Sequence, residues 1–158
     1  MNRVLRIFIL FLFAGCVSID GGAVEVSWVV RTADGRAINN CSCACPAIAR
    51  VRLRLEPVGG GADACAGVAS CVFSCGHQTG ATSFFIPPGT YAISLVPEGS
   101  AGESLSTTDS GTCSAQSAIA PVVRTVEKGR LTQLDAIMIQ AGCADACGGS
   151  DNTKVCTR

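Results

Sequence analysis

Eleven cysteines in a chain of 158 residues limit its possible structures more than any other feature. Cysteine at this density in a short chain marks a scaffold held by disulfides and formed where thiols oxidise, which argues against a reduced cytosolic enzyme. The length suits one domain, and with 48% apolar residues and only 15% charged ones that domain can bury a core. Formal charge is zero. No excess of basic residues is present to attract nucleic acid.

The N-terminal segment carries Arg3 and Arg6, followed by the apolar run from Ile7 to Phe13, which is too short to span a bilayer as a permanent helix. This is the arrangement of an export signal. It closes on Phe13-Ala14-Gly15-Cys16, which resembles the lipobox of bacterial lipoproteins, usually Leu-Ala/Ser-Gly/Ala-Cys, with Phe13 in place of leucine. The resemblance implies cleavage before Cys16, a signal at residues 1–15, and acylation of the Cys16 thiol. Two or three acyl chains would anchor the protein stably, as a single chain would not. The other reading is an ordinary signal cut nearby, with Cys16 in a disulfide. The odd cysteine count fits acylation, because removing Cys16 leaves ten thiols that can all pair. Val17, where an aspartate would signal inner-membrane retention by enteric sorting rules, implies the outer membrane. Loss of Arg3 and Arg6 leaves ten basic against twelve acidic residues, a charge of −2. Residues 16–23 then form a lipidated tether of about 23 Å at most beyond Cys16, so the domain is expected to sit close to the lipid surface.

Beyond the tether, short stretches alternate apolar and polar residues between Gly, Pro and Asp breaks, the pattern of half-buried strands. Seven are expected: Val24 to Arg31, Ile48 to Glu56, Cys71 to Cys75, Thr82 to Ile86, Thr90 to Val96, Val122 to Glu127 and Leu131 to Gln140. In the second, Ala49, Val51, Leu53 and Leu55 form one face and Arg50, Arg52 and Arg54 the other. Lys128-Gly129 is expected to join the last two as a hairpin, and the stretch from Glu98 to Ser117 reads as a polar loop. Strands at this spacing predict an all-β, seven-stranded antiparallel β-sandwich over residues 24–140, followed by a cysteine-containing tail, 141–158, packed on it.

Three segments carry a family resemblance. Val29-Val30-Arg31-Thr32-Ala33-Asp34-Gly35-Arg36-Ala37-Ile38, then Gly80 to Phe85, then Ile86-Pro87-Pro88-Gly89-Thr90-Tyr91-Ala92-Ile93 resemble the transthyretin-like (prealbumin-like), or carboxypeptidase regulatory-like, sandwich. Those domains open on a strand and an Asp-Gly turn and later carry a Leu/Ile-Pro-x-Gly-x-Tyr hairpin. The resemblance covers most of Val24 to Gln140 and departs from the pattern at the insert Cys41 to Cys45 and in the loop around Cys113. It implies a stalk, linker, adhesive module or ligand-binding accessory rather than a catalyst.

If successive strands alternate in direction, odd-numbered links lie at one end of the sandwich. That end would gather Cys41, Cys43, Cys45, Cys75, Cys113, Cys143, Cys147 and Cys156, leaving Cys65 and Cys71 to pair at the other. Cys71 and Cys75 are not expected to pair, since four strand residues hold their Cα atoms about 13 Å apart. Connectivity among the eight stays open. The alternative is metal: Cys41, Cys43 and Cys45 at alternate positions share a face, and Cys143 and Cys147 could complete a thiolate site for zinc or copper(I). An oxidising compartment favours disulfides, and no cofactor is expected.

His77 is the sole histidine. It could ligate metal or donate a proton, but without a second histidine a solvated loop position is the expected one. No Gly-x-Ser-x-Gly elbow, phosphate loop or His-Glu-x-x-His occurs. The Arg50, Arg52 and Arg54 stripe could meet acidic headgroups or cell-wall polyanions, or be a solvated face balanced by Glu56. Trp28 and Tyr91 both fall on inward faces, which weakens a carbohydrate-binding reading without excluding it. The expected protein is a lipid-anchored, non-catalytic envelope module with the membrane and a protein or cell-wall component as partners. A small-ligand or metal-binding lipoprotein using the cysteine-rich end is the alternative.

Overall fold

Alternation with period two requires a strand to bury every second side chain. In the computed structural model, which describes residues 19–41, 47–106, 113–117 and 119–143, strand β1 (Ala23–Thr32) does so from Val24 to Arg31. Val24, Val26, Trp28 and Val30 are buried, while Val29 and Arg31 face out. In β3 (Arg50–Pro57), Val51, Leu53 and Leu55 are buried and the arginines lie on the outer face. The intervening β2 is the pair Ala37–Ile38. Next come β4 (Val72–Ser74), β5 (Thr79–Ala81), β6 (Gly89–Glu98), β7 (Cys113–Ser117), β8 (Val122–Val126), β9 (Leu131–Gln133) and β10 (Ile137–Cys143). The fold is all-β, and no helix among the described residues is long and apolar enough to cross a membrane.

The strands form two sheets. One is antiparallel throughout, in the order β4-β3-β6-β8. The other is built around β1. One edge of β1 pairs antiparallel with β5 and then β2; β9 and then β10 run parallel to β1, and β7 pairs antiparallel with β10. Inner-face residues of both sheets share one cluster that includes Trp28, Val30, Leu53, Leu55, Ile86, Tyr91, Ile93, Ile137 and Ile139.

Several expectations from sequence are corrected. There are ten strands among the described residues rather than seven, and the sandwich is not purely antiparallel. A seventh strand in an alternating series runs in the same direction as the first; here the two become neighbours and so pair parallel. The predicted final strand breaks at Leu134, which turns inward and donates its amide to Glu25 O at 3.0 Å, giving β9 and β10. Lys128-Gly129 does not make a hairpin, because β8 pairs with β6 and β9 with β1. The turn instead carries the chain from one sheet to the other. Residues from Thr82 to Ile86 are not a strand. The strand lies earlier, at β5; just beyond it the Thr82 amide still donates to Val24 O at 3.0 Å, while the Thr82 hydroxyl accepts the Val24 amide at 3.0 Å in the place of a backbone carbonyl. The supposed loop from Glu98 to Ser117 contains β7, whose small polar residues hid its pairing partner. The Cys71–Cys75 strand is reduced to Val72–Ser74 between two 3-10 turns.

The Asp34-Gly35 turn closes β1. Gly35 takes a positive φ of 85°, a conformation glycine adopts without strain. The Thr32 hydroxyl, and after it the Arg36 guanidinium, hold the Asp34 carboxyl below the ordinary aspartate range. Any stability from that interaction is present above the unfolded carboxyl's titration and lost as pH falls through the lowered value. Thr32→Val is expected to move the Asp34 titration, followed by NMR, to higher pH. In the core, Leu53→Ala is expected to cost about 2–5 kcal/mol in urea unfolding without reductant. Val123→Ala, at an exposed position, is expected to stay within about 0.5 kcal/mol of the parent.

Candidate functional site

The two ends of the domain differ in chemistry. The chain enters at the first end through Gly21 and Gly22, which lie directly against neighbouring backbone. A Cβ on Gly21 would come within 2.6 Å of the Phe85 carbonyl carbon, and one on Gly22 within 2.4 Å of the Glu127 oxygen. That closeness permits the entry segment to be stitched to two others. Gly22 exchanges hydrogen bonds with Ile86 (2.8 and 3.1 Å), the Gly129 amide donates to Gly21 O at 2.9 Å, and the Ala23 amide donates to Arg130 O at 2.9 Å. Lys128 Nζ meets Asp20 Oδ1 at 3.0 Å. Tyr91, buried nearby, donates its hydroxyl to Pro87 O at 2.8 Å, and desolvation raises its pKa. Cys16 lies outside the described residues.

The opposite end, where β1 stops and β3 starts, carries cysteines. Cys41 is bridged to Cys75 across 34 residues of sequence, with Cα atoms 5.9 Å apart. The Cys75 carbonyl accepts the Trp28 indole N–H at 3.1 Å, tying the bridge to the core. The backbone register of β7 against β10 sets Cys113 opposite Cys143 at this same end. Cys65 and Cys71, the pair expected from strand order, are bridged beside β3, toward the entry end. Cys43, Cys45, Cys147 and Cys156 lie outside the described residues. Among the described residues no group of three or more His, Cys, Asp or Glu is placed to hold a metal ion.

The arginine stripe meets more counter-charge than Glu56 alone. Glu98, only 3% exposed, receives Arg52 Nε at 2.5 Å with Arg50 Nε 3.7 Å away, and Arg54 pairs with Glu56 and faces Asp63 at 3.9 Å. Three cations face three carboxylates, so little free positive charge remains for a polyanion. Glu98 was not visible as part of this set in the sequence. It stands 46 residues from Arg52 and enters only because β6 pairs with β3. Its alternation with Val96 and Ser94 was the available signal. His77 is exposed at the end of a 3-10 turn closed by Gln78 at φ 57°.

One groove of about 290 Å³ is built where β5 and β9 flank β1. It is lined by Glu25, Val26, Ser27, Thr79, Gln133, Leu134 and Asp135. Gln133 Nε2 donates to Glu25 Oε2 at 2.7 Å and the Thr79 hydroxyl donates to Val26 O at 3.1 Å. It offers carboxylates, a carboxamide and hydroxyls, without a histidine or cysteine in its lining to act as nucleophile or metal ligand. Sequence reasoning missed it because three separate segments form it.

No protein-family model matches the chain, and no curated protein or solved structure is significantly similar to it.

Loop closure orders the two bridges by their contribution. On the chain-entropy account the 34-residue separation of Cys41 and Cys75 is worth about 4 kcal/mol and the 6-residue separation of Cys65 and Cys71 about 2 kcal/mol. Urea unfolding of the Cys41→Ala/Cys75→Ala and Cys65→Ala/Cys71→Ala pairs is therefore expected to show the greater loss for the first. Gly22→Ala is expected to destabilise by about 1–3 kcal/mol, since the added methyl meets backbone that has no room to yield.

Proposed function

We propose that this chain is a lipid-anchored bacterial lipoprotein, exported by the signal at residues 1–15, acylated on Cys16, and acting as a non-catalytic structural or interaction module of the envelope. The observation that carries the proposal is the entry of the chain into the domain. Residues at Gly21 and Gly22 are already hydrogen-bonded to the 86 and 129–130 segments, only five and six positions after the cysteine of a lipobox-like motif. A tether this short suits a domain held against lipid, and the outer membrane is the leaflet system that Val17 favours.

The finer fold assignment, a transthyretin-like sandwich, is supported by where the resembling segments fall. Asp34-Gly35 forms the turn after β1 and Ala37–Ile38 makes β2. Ile86-Pro87-Pro88-Gly89-Thr90-Tyr91 leads into β6, with the Tyr91 hydroxyl clasping the Pro87 carbonyl. In this reading the partner, a protein or cell-wall component, is met by the cysteine-laced end, which disulfides hold in shape while it faces away from the anchor. This reading expects all ten remaining cysteines to pair, as Cys41 does with Cys75 and Cys65 with Cys71.

Intact mass of the native, detergent-extracted protein, alkylated without reduction, tests this. The expected mass begins at Cys16, includes a diacylglycerol-type addition, and carries no alkylated thiol. An unlipidated mass would remove the anchor. Several alkylated thiols with metal released on denaturation would replace the disulfide scaffold with a thiolate metal site.

A further inference from the structure

Seven large apolar side chains are conspicuously exposed among the described residues: Ile19, Val29, Val58, Phe84, Ile119, Val123 and Leu131. Four of them sit at the entry end. Ile19 (44% exposed) precedes the stitched glycines, and Phe84 (43%) stands two positions before Ile86, the partner of Gly22. Leu131 (46%) follows Arg130 and pairs in register with Ala23. Val58 (58%) follows the last residue of β3 and donates its amide to Thr90 O at the start of β6. Four segments remote in sequence thus bring apolar side chains to one tip, against which a fold in water would ordinarily select.

We infer that this tip, carrying Ile19, Val58, Phe84 and Leu131, is a docking surface that rests in the interfacial layer of the bilayer to which the chain is anchored. The inference rests on acylation of Cys16. Three positions separate Cys16 from Ile19, and a fully extended chain covers that distance in about 10 Å. A bilayer holding the acyl chains therefore lies within about 10 Å of Ile19, nearer to this tip than to the cysteine-bearing end. β1 alone carries the opposite end about 30 Å further away.

The charges at the tip decide the kind of contact. Lys128 pairs with Asp20, and Arg130 with Glu127 at 2.9 Å. Two cations and two carboxylates cancel, leaving little to attract anionic headgroups. Docking is thus by apolar insertion, with the Phe84 ring at the depth aromatic side chains favour, and is insensitive to ionic strength. Docking at a second point beside the lipid also fixes orientation: the cysteine-laced end faces away from the membrane.

The test uses the full-length lipidated protein, its lipid verified by mass, in vesicles of phosphatidylethanolamine and phosphatidylglycerol containing brominated phosphatidylcholine. Phe84→Trp and, as a second reporter in a different segment, Val58→Trp each add one indole at the tip. Ala33→Trp adds one at the far end of β1, and the buried Trp28 is a constant background. The emission added by the two tip indoles is expected to shift to the blue and to be largely quenched by bromine, equally in low and high salt, while that of Ala33→Trp keeps its intensity. Lipidated, vesicle-bound protein whose tip indoles are no more quenched than Ala33→Trp would overturn the docking and leave the anchor standing. Quenching abolished by salt would overturn the apolar contact. Protein without lipid on Cys16 would overturn the anchor and the docking with it.

Discussion

The larger of the two sheets is organised by the pairing of β1 on both of its edges, and the second sheet packs against the face that β1 buries. One strand of ten residues hydrogen-bonds β5 and β2 along one side and β9 and β10 along the other, while its buried face supplies Val24, Val26, Trp28 and Val30 to the core. A strand paired this way leaves no edge unsatisfied, and its backbone groups need no water. Its N-terminus is therefore held firmly in place. The same strand defines the two ends of the molecule, one where the chain enters and one where β2, β7 and β10 gather cysteines.

Between those ends the contributions are of different kinds. The shared apolar cluster supplies most of the stabilisation, because burial of branched aliphatic side chains is favourable in proportion to area. The Arg50, Arg52 and Glu98 group adds little net stability, since a carboxylate this buried is costly to desolvate even when paired. It does neutralise a stripe that would otherwise be basic. The Cys41–Cys75 bridge closes the stretch of chain that contains β3, and the Trp28 indole, donating to the Cys75 carbonyl, ties that closure to the core. A disulfide-bridged far end and an end with exposed apolar side chains are what the proposed membrane-held module calls for.

Much of this was legible in the sequence where periodicity is local. β1, β3 and β6 alternate strongly, and their burial follows from residue order alone, as does the inward position of Trp28 and Tyr91. The pairing of Cys65 with Cys71 was accessible because both flank one short link. β7 was not, because Ser114, Ala115, Gln116 and Ser117 carry no apolar alternation and become a strand only by pairing with β10. The displaced β5 is similar: Gly80 and Ala81 are poor strand formers, and Gly80 is needed where a Cβ would fall 2.3 Å from the Phe73 ring. The groove beside Glu25 and the counter-charge from Glu98 were hidden for a related reason, since each joins residues from strands far apart in the chain.

The amino-acid order by itself determined the oxidised, cysteine-bridged, all-β character of the domain and the faces of its principal strands. These depend on composition and on a two-residue period that a short window contains. Tertiary structure alone decided that the first and last strands lie side by side and parallel, that the arginine stripe is neutralised, and that four scattered, exposed apolar residues lie toward the entry end. Each of these is a property of strand pairing across tens of residues, and a sequence window records which face a residue occupies but not which neighbour it is brought to.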